Sequence, residues 1–136
     1  MISKPFMIEV KKSEVASGNG VYALKEFKKN EVIEICPAIF LPIKEFEKLK
    51  QTKMFYYFFE YTNKEFAVVL GYGSVYNHSY KPNAQYRFNM KKRMMIIRAI
   101  KKIKFGEEIC FNYNFWSNDK TSLEDWFQAG VDANHL

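Results

Sequence analysis

Two short segments carry side chains that could bind a ligand or act on one. The first reads Asn-His-Ser-Tyr-Lys-Pro-Asn at residues 77–83, and the second reads Gly-Glu-Glu-Ile-Cys-Phe-Asn-Tyr at residues 106–113. Asn77 and His78 offer an amide and an imidazole, and each group can donate and accept hydrogen bonds. Tyr113 adds a phenol hydroxyl. A polar turn with a hydrogen-bonded histidine has the same spelling, so the first segment alone does not separate ligand binding from structure.

The adjacent carboxylates Glu107 and Glu108 suggest a general acid and base at first sight. Neighbouring side chains of an extended segment point to opposite faces, so these two carboxylates do not converge on one site. We therefore expect Glu107 in a solvated turn. For Glu108 we expect a structural role, with a basic side chain as partner.

Glycines mark two further segments. Residues 18–23 read Gly-Asn-Gly-Val-Tyr-Ala, and the glycines allow a ligand to approach the main chain closely. This spelling is not GxGxxG and it precedes a predicted strand rather than a helix, which excludes a dinucleotide fingerprint. A simple hairpin tip explains it as well. Residues 71–73, Gly-Tyr-Gly, follow another predicted strand and indicate a sharp bend.

Short strands must position these segments. Alternating or β-branched runs predict strands at residues 6–10, 21–24, 32–36, 66–70, 84–88, 94–99 and 109–111. An insert of about residues 42–65 starts at Pro42 and is predicted to be mainly helical to about residue 61. A last helix within a C-terminal segment of about residues 117–136 begins at Thr121 or Ser122. This pattern predicts a mostly β (α+β) fold and argues against alternating β-α units.

Composition limits the class of protein. The 136 residues suit one domain, residues 1–136. The net charge is +6, but 18 of the 21 basic residues are lysines spread along the chain, and arginine, the usual phosphate reader, is scarce. This favours a solvated surface and argues against direct nucleic-acid binding. No apolar run reaches membrane-spanning length and no signal peptide is visible, so we expect an intracellular protein without membrane contact.

The cysteines give no sign of a metal site. Cys36 and Cys110 lack CxxC spacing and lie in apolar segments, which predicts buried free thiols and no bound metal.

Taken together and in this order, the segments at residues 18–23, 77–83 and 106–113 resemble the SET-domain protein lysine methyltransferases. That family combines a Gly-x-Gly segment before an aromatic residue and alanine, an Asn-His-Ser-x-x-Pro-Asn segment, and a Gly-Glu-Glu segment before a tyrosine. The resemblance covers about residues 6–116. In size and layout it is closest to the minimal viral SET histone methyltransferase.

The resemblance implies a fold of small sheets with a C-terminal pseudoknot, in which the Tyr113 segment threads beneath the loop around Asn77. It implies S-adenosyl-L-methionine as methyl donor in one cleft and a substrate lysine entering from the opposite face. The implied cofactor-binding residues are Gly18, Asn19, Gly20, Tyr22, Asn77, His78, Trp116 and Trp126. Phe115 and the two tryptophans would cover the adenine.

The resemblance also assigns roles on the acceptor side. Tyr113 matches the catalytic tyrosine, which would orient the lysine amine. Phe111 matches a position that influences how many methyl groups are added, and a phenylalanine leaves room for a di- or trimethylated product. Tyr72 and either Tyr56 or Tyr57 are candidates for the lysine channel, where an aromatic face attracts a methylated ammonium.

The implied activity is protein-lysine N-methylation, with a histone tail or another basic protein as substrate. A homodimer is a further expectation. The expected location is the nucleus for a viral or eukaryotic source and the cytoplasm for a bacterial one. Asn112 stands where the family often has aspartate, which keeps hydrogen bonding but loses a charge. The alternatives are a non-catalytic SET-like domain that binds a peptide or nucleic acid, and a small basic β-barrel that binds nucleic acid.

Overall fold

The structure is a computed structural model, and it describes residues 6–62 and 64–114. In these residues strands predominate, which confirms the mostly β fold. The strands are β1 Ile8–Lys12, β2 Asn19–Ala23, β3 Val32–Pro42, β4 Phe58–Glu60, β5 Glu65–Val69, β6 Asn77–His78, β7 Ala84–Asn89, β8 Met94–Ala99 and β9 Glu108–Phe111. Helix α1 spans Ile43–Leu49, and a 3-10 helix spans Lys53–Tyr57.

The smaller sheet has the strand order β1-β2-β9-β6. Its first three strands pair antiparallel, with Val21 opposite Ile109. Strand β6 then pairs parallel to β9, so that Asn77 lies opposite Cys110 and His78 lies opposite Phe111. The sequence did not predict β6, because two residues are too few for a periodic pattern. This pairing brings the two polar segments side by side, while the threading of a pseudoknot stays a prediction.

The larger sheet has the order β4-β5-β3-β8-β7, with all neighbours antiparallel. Strand β3 continues to Pro42, so the prediction that it ends at Cys36 is wrong. The strand passes Pro37 by changing partners there: it pairs with β8 up to Pro37 and with β5 from Ala38. The Pro37 carbonyl still accepts the Leu70 N–H at 2.9 Å. A proline without N–H is tolerated at such a change of partner.

The insert begins with the predicted helix and then departs from it. Phe46 is the buried residue of α1, and it stacks on Phe66 with ring centroids 3.8 Å apart and meets Phe58 edge-on at 5.1 Å. The helical prediction is wrong for Phe58–Glu60, which pair with β5 as β4. An all-aromatic run fits a helix or a half-buried strand equally well, and the open edge of β5 decides between them.

Strands of both sheets contribute to one hydrophobic core. Large side chains with almost no solvent exposure include Tyr76, Phe111, Ile33, Met95, Ile97 and Ile109. Cys36 and Cys110 are buried free thiols, as expected. The predicted last helix lies outside the described residues, as do Phe115, Trp116, Trp126 and the side chain of Tyr56. Within the described chain, none of the helices is long and apolar enough to cross a membrane.

Candidate active site

Tyr113 lies two residues beyond the end of strand β9, and hydrogen bonds from its backbone and its side chain hold it to the segment around His78. Its backbone N–H donates to His78 Nδ1 at 3.0 Å, and its hydroxyl donates to the Tyr76 carbonyl at 2.5 Å. The ring lies 5.1 Å from the imidazole between centroids. The parallel pairing of β6 with β9 brings these segments together, so the phenol is held beside His78 and the Tyr76 carbonyl.

The Tyr113 hydroxyl stays protonated at neutral pH. Burial raises its pKa above the usual range, and nearby Cys110 and Glu108 act in the same direction. The hydroxyl hydrogen is directed at the Tyr76 carbonyl, so toward a bound molecule the oxygen acts as an acceptor. This hydroxyl therefore suits positioning and weak hydrogen-bond acceptance rather than proton abstraction.

His78 is neutral because burial lowers the pKa of its imidazole to about 4. Since Nδ1 accepts the Tyr113 N–H, the proton of the neutral ring sits on Nε2. Nε2 is buried and finds no hydrogen-bond partner among residues 6–62 and 64–114. A buried donor without an acceptor is costly, so this atom is a candidate ligand contact.

We expect acidification to destabilise the fold through His78. The pKa of this imidazole is 6.5 without perturbation and about 4 in the fold. Between these values the unfolded chain binds more protons, so the free energy of unfolding falls as the pH drops from 6.5 toward 4. The loss from this group is at most about 3 kcal/mol. Urea unfolding of wild type and His78→Gln across this range isolates it, since glutamine can accept the Tyr113 N–H but does not titrate. Parallel pH profiles for the two proteins would refute this assignment.

Glu108 is the centre of a hydrogen-bond network behind the site. Its carboxylate accepts the Asn77 Nδ2–H at 2.7 Å, the Ser13 hydroxyl at 2.8 Å and the Tyr22 hydroxyl at 2.9 Å. Asn77 Nδ2 also donates to the Asn19 carbonyl at 3.0 Å. Glu108 therefore has a structural role, as predicted: its carboxylate connects the β1–β2 connection, β2 and β6 through hydrogen bonds.

The expectation of a basic partner for Glu108 is wrong, because neutral side chains donate the hydrogen bonds to its carboxylate. Among the described residues no side-chain hydrogen bond or ion pair is found at its neighbour Glu107, whose backbone N–H donates to the Lys104 carbonyl at 3.1 Å in the expected turn. No pattern in the sequence indicated that Ser13 belongs to the network, since 95 residues separate it from Glu108.

Gly20 leaves the space that this network occupies. A Cβ atom at this position would lie 2.4 Å from Glu108 Oε2 and 3.0 Å from Asn77 Nδ2. We predicted that the glycines let a ligand approach the main chain. At Gly20 the groups that approach belong to the protein itself, so a side chain there would push the carboxylate away from Asn77.

Six of the eight residues predicted to bind the cofactor are described, and they lie in or next to β2 and β6, whereas Trp116 and Trp126 lie outside the described residues. The Gly18 carbonyl accepts the Ser13 N–H at 2.5 Å, and Asn19 and Gly20 begin β2 beside Asn77. Tyr22 is buried, and its hydroxyl serves the Glu108 network, so a direct contact with a cofactor stays a prediction for it. Burial, followed by the hydrogen bond to Glu108, raises the pKa of Tyr22.

On the acceptor side, Phe111 is fully buried in an aromatic cluster. Its ring stacks on Tyr76 at 5.3 Å and lies 5.8 Å from Tyr113. Tyr72 lies in the turn after β5 and is 41% exposed. The Tyr57 carbonyl accepts the Ser74 hydroxyl at 3.3 Å, which places the 3-10 helix beside that turn. The lysine channel assigned to Tyr72 and Tyr57 stays a prediction.

A sequence profile of the SET domain matches residues 18–114, which include all three motifs. The chain belongs to the SET domain family. This confirms the resemblance seen in the sequence.

Relatives of this SET domain include the histone-lysine N-methyltransferase, H3 lysine-37 specific, of Schizosaccharomyces pombe. The two chains are 28% identical over 118 residues, which cover 85% of this chain and 80% of the relative. A crystal structure of a Plasmodium falciparum protein, described as a candidate histone methyltransferase, superimposes with a TM-score of 0.66 at 33% identity and covers 81% of this chain and 95% of that one.

A chain of the Chaetomium thermophilum Polycomb Repressive Complex 2, in an autoinhibited conformation bound to S-adenosylmethionine, superimposes with a TM-score of 0.68. Its identity is 18%, and the match covers 81% of this chain but 15% of that one. This likeness concerns the fold alone.

Proposed function

We propose that this SET domain is a protein-lysine N-methyltransferase that takes its methyl group from S-adenosyl-L-methionine and acts on a histone. The observation that carries the proposal is the position of Tyr113, whose hydroxyl is held 2.5 Å from the Tyr76 carbonyl and whose ring lies beside His78. Membership of the SET family and the histone-lysine methyltransferase relative support the reaction class.

The residues of the chain fit the proposed cofactor. His78 Nε2 is a buried donor that lacks an acceptor among the described residues, which suits an anionic or carbonyl group. Asn77 donates both of the side-chain hydrogen bonds that it makes with described residues through Nδ2, so its amide oxygen remains an acceptor for an ammonium. When bound, the cofactor supplies an electrophilic methyl group on a sulfonium.

The lysine amine must lose its proton before it can attack. With an ordinary pKa near 10.4, this costs roughly 4 kcal/mol at pH 7.4. The described part of the site offers no base that could take this proton, because Glu108 is committed to Ser13 and Asn77, and Tyr113 stays protonated. We infer that desolvation among aromatic side chains and a nearby positive sulfonium lower the pKa of the amine, and solvent then takes the proton.

Tyr113 would contribute alignment. Its hydrogen bond to the Tyr76 carbonyl fixes the hydroxyl, and the oxygen can then contact the amine and the methyl hydrogens. Phe111 places no second hydroxyl beside that of Tyr113, so we propose that the site has room for a di- or trimethylated product.

The choice of a histone as substrate is the more specific part of the proposal. It rests on the relative from Schizosaccharomyces pombe, which is specific for H3 lysine-37 and of which the match with this chain covers 80%. A histone substrate would place the activity in the nucleus. A homodimer stays a prediction.

The proposal is tested by adding cofactor and substrate separately. Calorimetry should show binding of S-adenosyl-L-methionine, and incubation with methyl-labelled cofactor and a panel of histones should label one of them. Binding without transfer to any histone or other basic protein would favour the non-catalytic SET-like domain. Failure of both measurements on folded protein would rule out the enzyme.

A further inference from the structure

Glu34 is a buried carboxylate on β3 that no sequence motif singled out. Its side chain is almost completely enclosed, with 4% of the residue exposed. One oxygen, Oε1, accepts the Tyr76 hydroxyl at 2.8 Å, and the other, Oε2, accepts the Tyr72 N–H at 3.0 Å. Both partners lie about 40 positions later in the chain, close to the candidate site.

The turn that follows β5 is built around this carboxylate. Gly71 has a φ of +66°, in the left-handed region, and a Cβ atom there would lie 2.6 Å from Glu34 Oε2. Backbone conformation and space both call for glycine. The turn therefore wraps onto Glu34 rather than merely passing near it.

Tyr76 links Glu34 to the candidate catalytic tyrosine. The far end of its side chain donates to Glu34, and its backbone carbonyl accepts the Tyr113 hydroxyl. Between these ends its ring stacks on Phe111, with an interplanar angle of 29°. A movement of Tyr76 would therefore disturb both Tyr113 and Phe111.

An ionisable group in this place is expensive for stability alone. A buried carboxylate loses its hydration, and a well-packed apolar residue often fills such a site at no loss of stability. The Tyr76 hydroxyl remains a donor throughout, because burial and the neighbouring Glu34 raise its pKa well above the usual range. Stability alone therefore does not account for a glutamate at this position.

We propose that Glu34 is a positioning residue of the acceptor site: it holds Tyr76 and the Tyr72 turn so that the Tyr76 carbonyl stays aligned with the Tyr113 hydroxyl and the Phe111 ring keeps its place. Glu34 would thereby set both the rate of transfer and the number of methyl groups added. This inference rests on the proposed lysine methylation.

The test compares Glu34→Gln and Tyr76→Phe with the wild type. Glutamine keeps the shape but turns an amide toward one of the two donors, and phenylalanine removes the hydroxyl from the other end of the same hydrogen bond. We expect each variant to lower kcat about tenfold through misalignment. The dissociation constant of S-adenosyl-L-methionine should change less than about twofold, and the ratio of mono- to higher methylated product should shift. The double variant should be no slower than the slower single one, since both act on one contact.

Glu31→Gln is the matched control, because Glu31 pairs with Lys25 at the surface just before the same strand. It should leave kcat and the product ratio unchanged. If Glu34→Gln and Tyr76→Phe lower only the melting temperature, and kcat and product ratio stay those of wild type, Glu34 is a structural residue and the inference is wrong. A wild type that transfers no methyl would instead overturn the proposed function. In that case hydrogen exchange of the Tyr72 amide still tests whether Glu34 holds the turn after β5. An exchange rate in Glu34→Gln equal to that of wild type would refute this positioning role.

Discussion

Tyr113→Phe should lower kcat for methyl transfer by about 100-fold or more, and leave cofactor affinity close to that of wild type. The substitution removes one oxygen and keeps the ring that packs between His78 and Phe111. The Tyr76 carbonyl loses its hydrogen bond, and the amine loses the hydroxyl that would orient it. Steady-state kinetics with a histone substrate and calorimetry with S-adenosyl-L-methionine measure the two quantities.

Tyr61→Phe is the matched control for this substitution. Tyr61 also contributes an aromatic ring, which packs on Phe40 at 4.5 Å and on Phe88 at 5.2 Å, away from the Tyr113 contacts. Loss of its hydroxyl should leave kcat within about twofold of wild type. Equal and small effects of both substitutions would remove Tyr113 from the mechanism.

Glu108→Gln should both destabilise the fold and weaken cofactor binding. The carboxylate accepts hydrogen bonds from Ser13, Tyr22 and Asn77 and a weaker one from the Cys110 thiol, and an amide in its place must direct an N–H group toward at least one of these donors. Leaving a donor such as Asn77 Nδ2 or the Ser13 hydroxyl without its acceptor should lower the free energy of unfolding by about 2–4 kcal/mol. Because Asn77 and the Asn19 backbone are held by this network, we expect the dissociation constant of S-adenosyl-L-methionine to rise about tenfold.

The adjacent glutamate supplies a control with the same chemistry. Glu107→Gln changes a side chain for which the described residues provide no hydrogen bond or ion pair, so its free energy of unfolding should stay within about 0.5 kcal/mol of wild type. Urea unfolding and calorimetry on both variants make the comparison. If Glu107→Gln proved the more damaging of the two, the network around Glu108 would not be what supports the cofactor side.

The sequence predicted the fold best where a pattern is local. Met94–Ala99 was predicted with its observed bounds, because an apolar run with β-branched residues that follows a basic turn and precedes a glycine turn is typical of a strand. Prediction failed where a distant partner decides. Strand β3 passes Pro37 only because β5 takes over from β8, and Phe58–Glu60 becomes a strand only because β5 has an open edge.

The same distinction between local patterns and distant partners holds for the residues of the candidate site. The motifs named Asn77, His78 and Tyr113, and the structure brings them together. Glu34, Ser13 and Tyr76 were missed, since each acquires its role through a hydrogen bond to a residue 37 or more positions away. A buried carboxylate has no periodic signal in the sequence, and only the fold shows which donors surround it.

The most direct test of the central claim is mass spectrometry of histone H3 after incubation with the protein and S-adenosyl-L-methionine. We predict that a defined lysine gains one or more methyl groups, and that Tyr113→Phe abolishes most of the gain while the protein remains folded. An unmodified histone panel and unmodified basic proteins, with wild-type protein that is folded and binds the cofactor, would contradict lysine methylation as the function of this site.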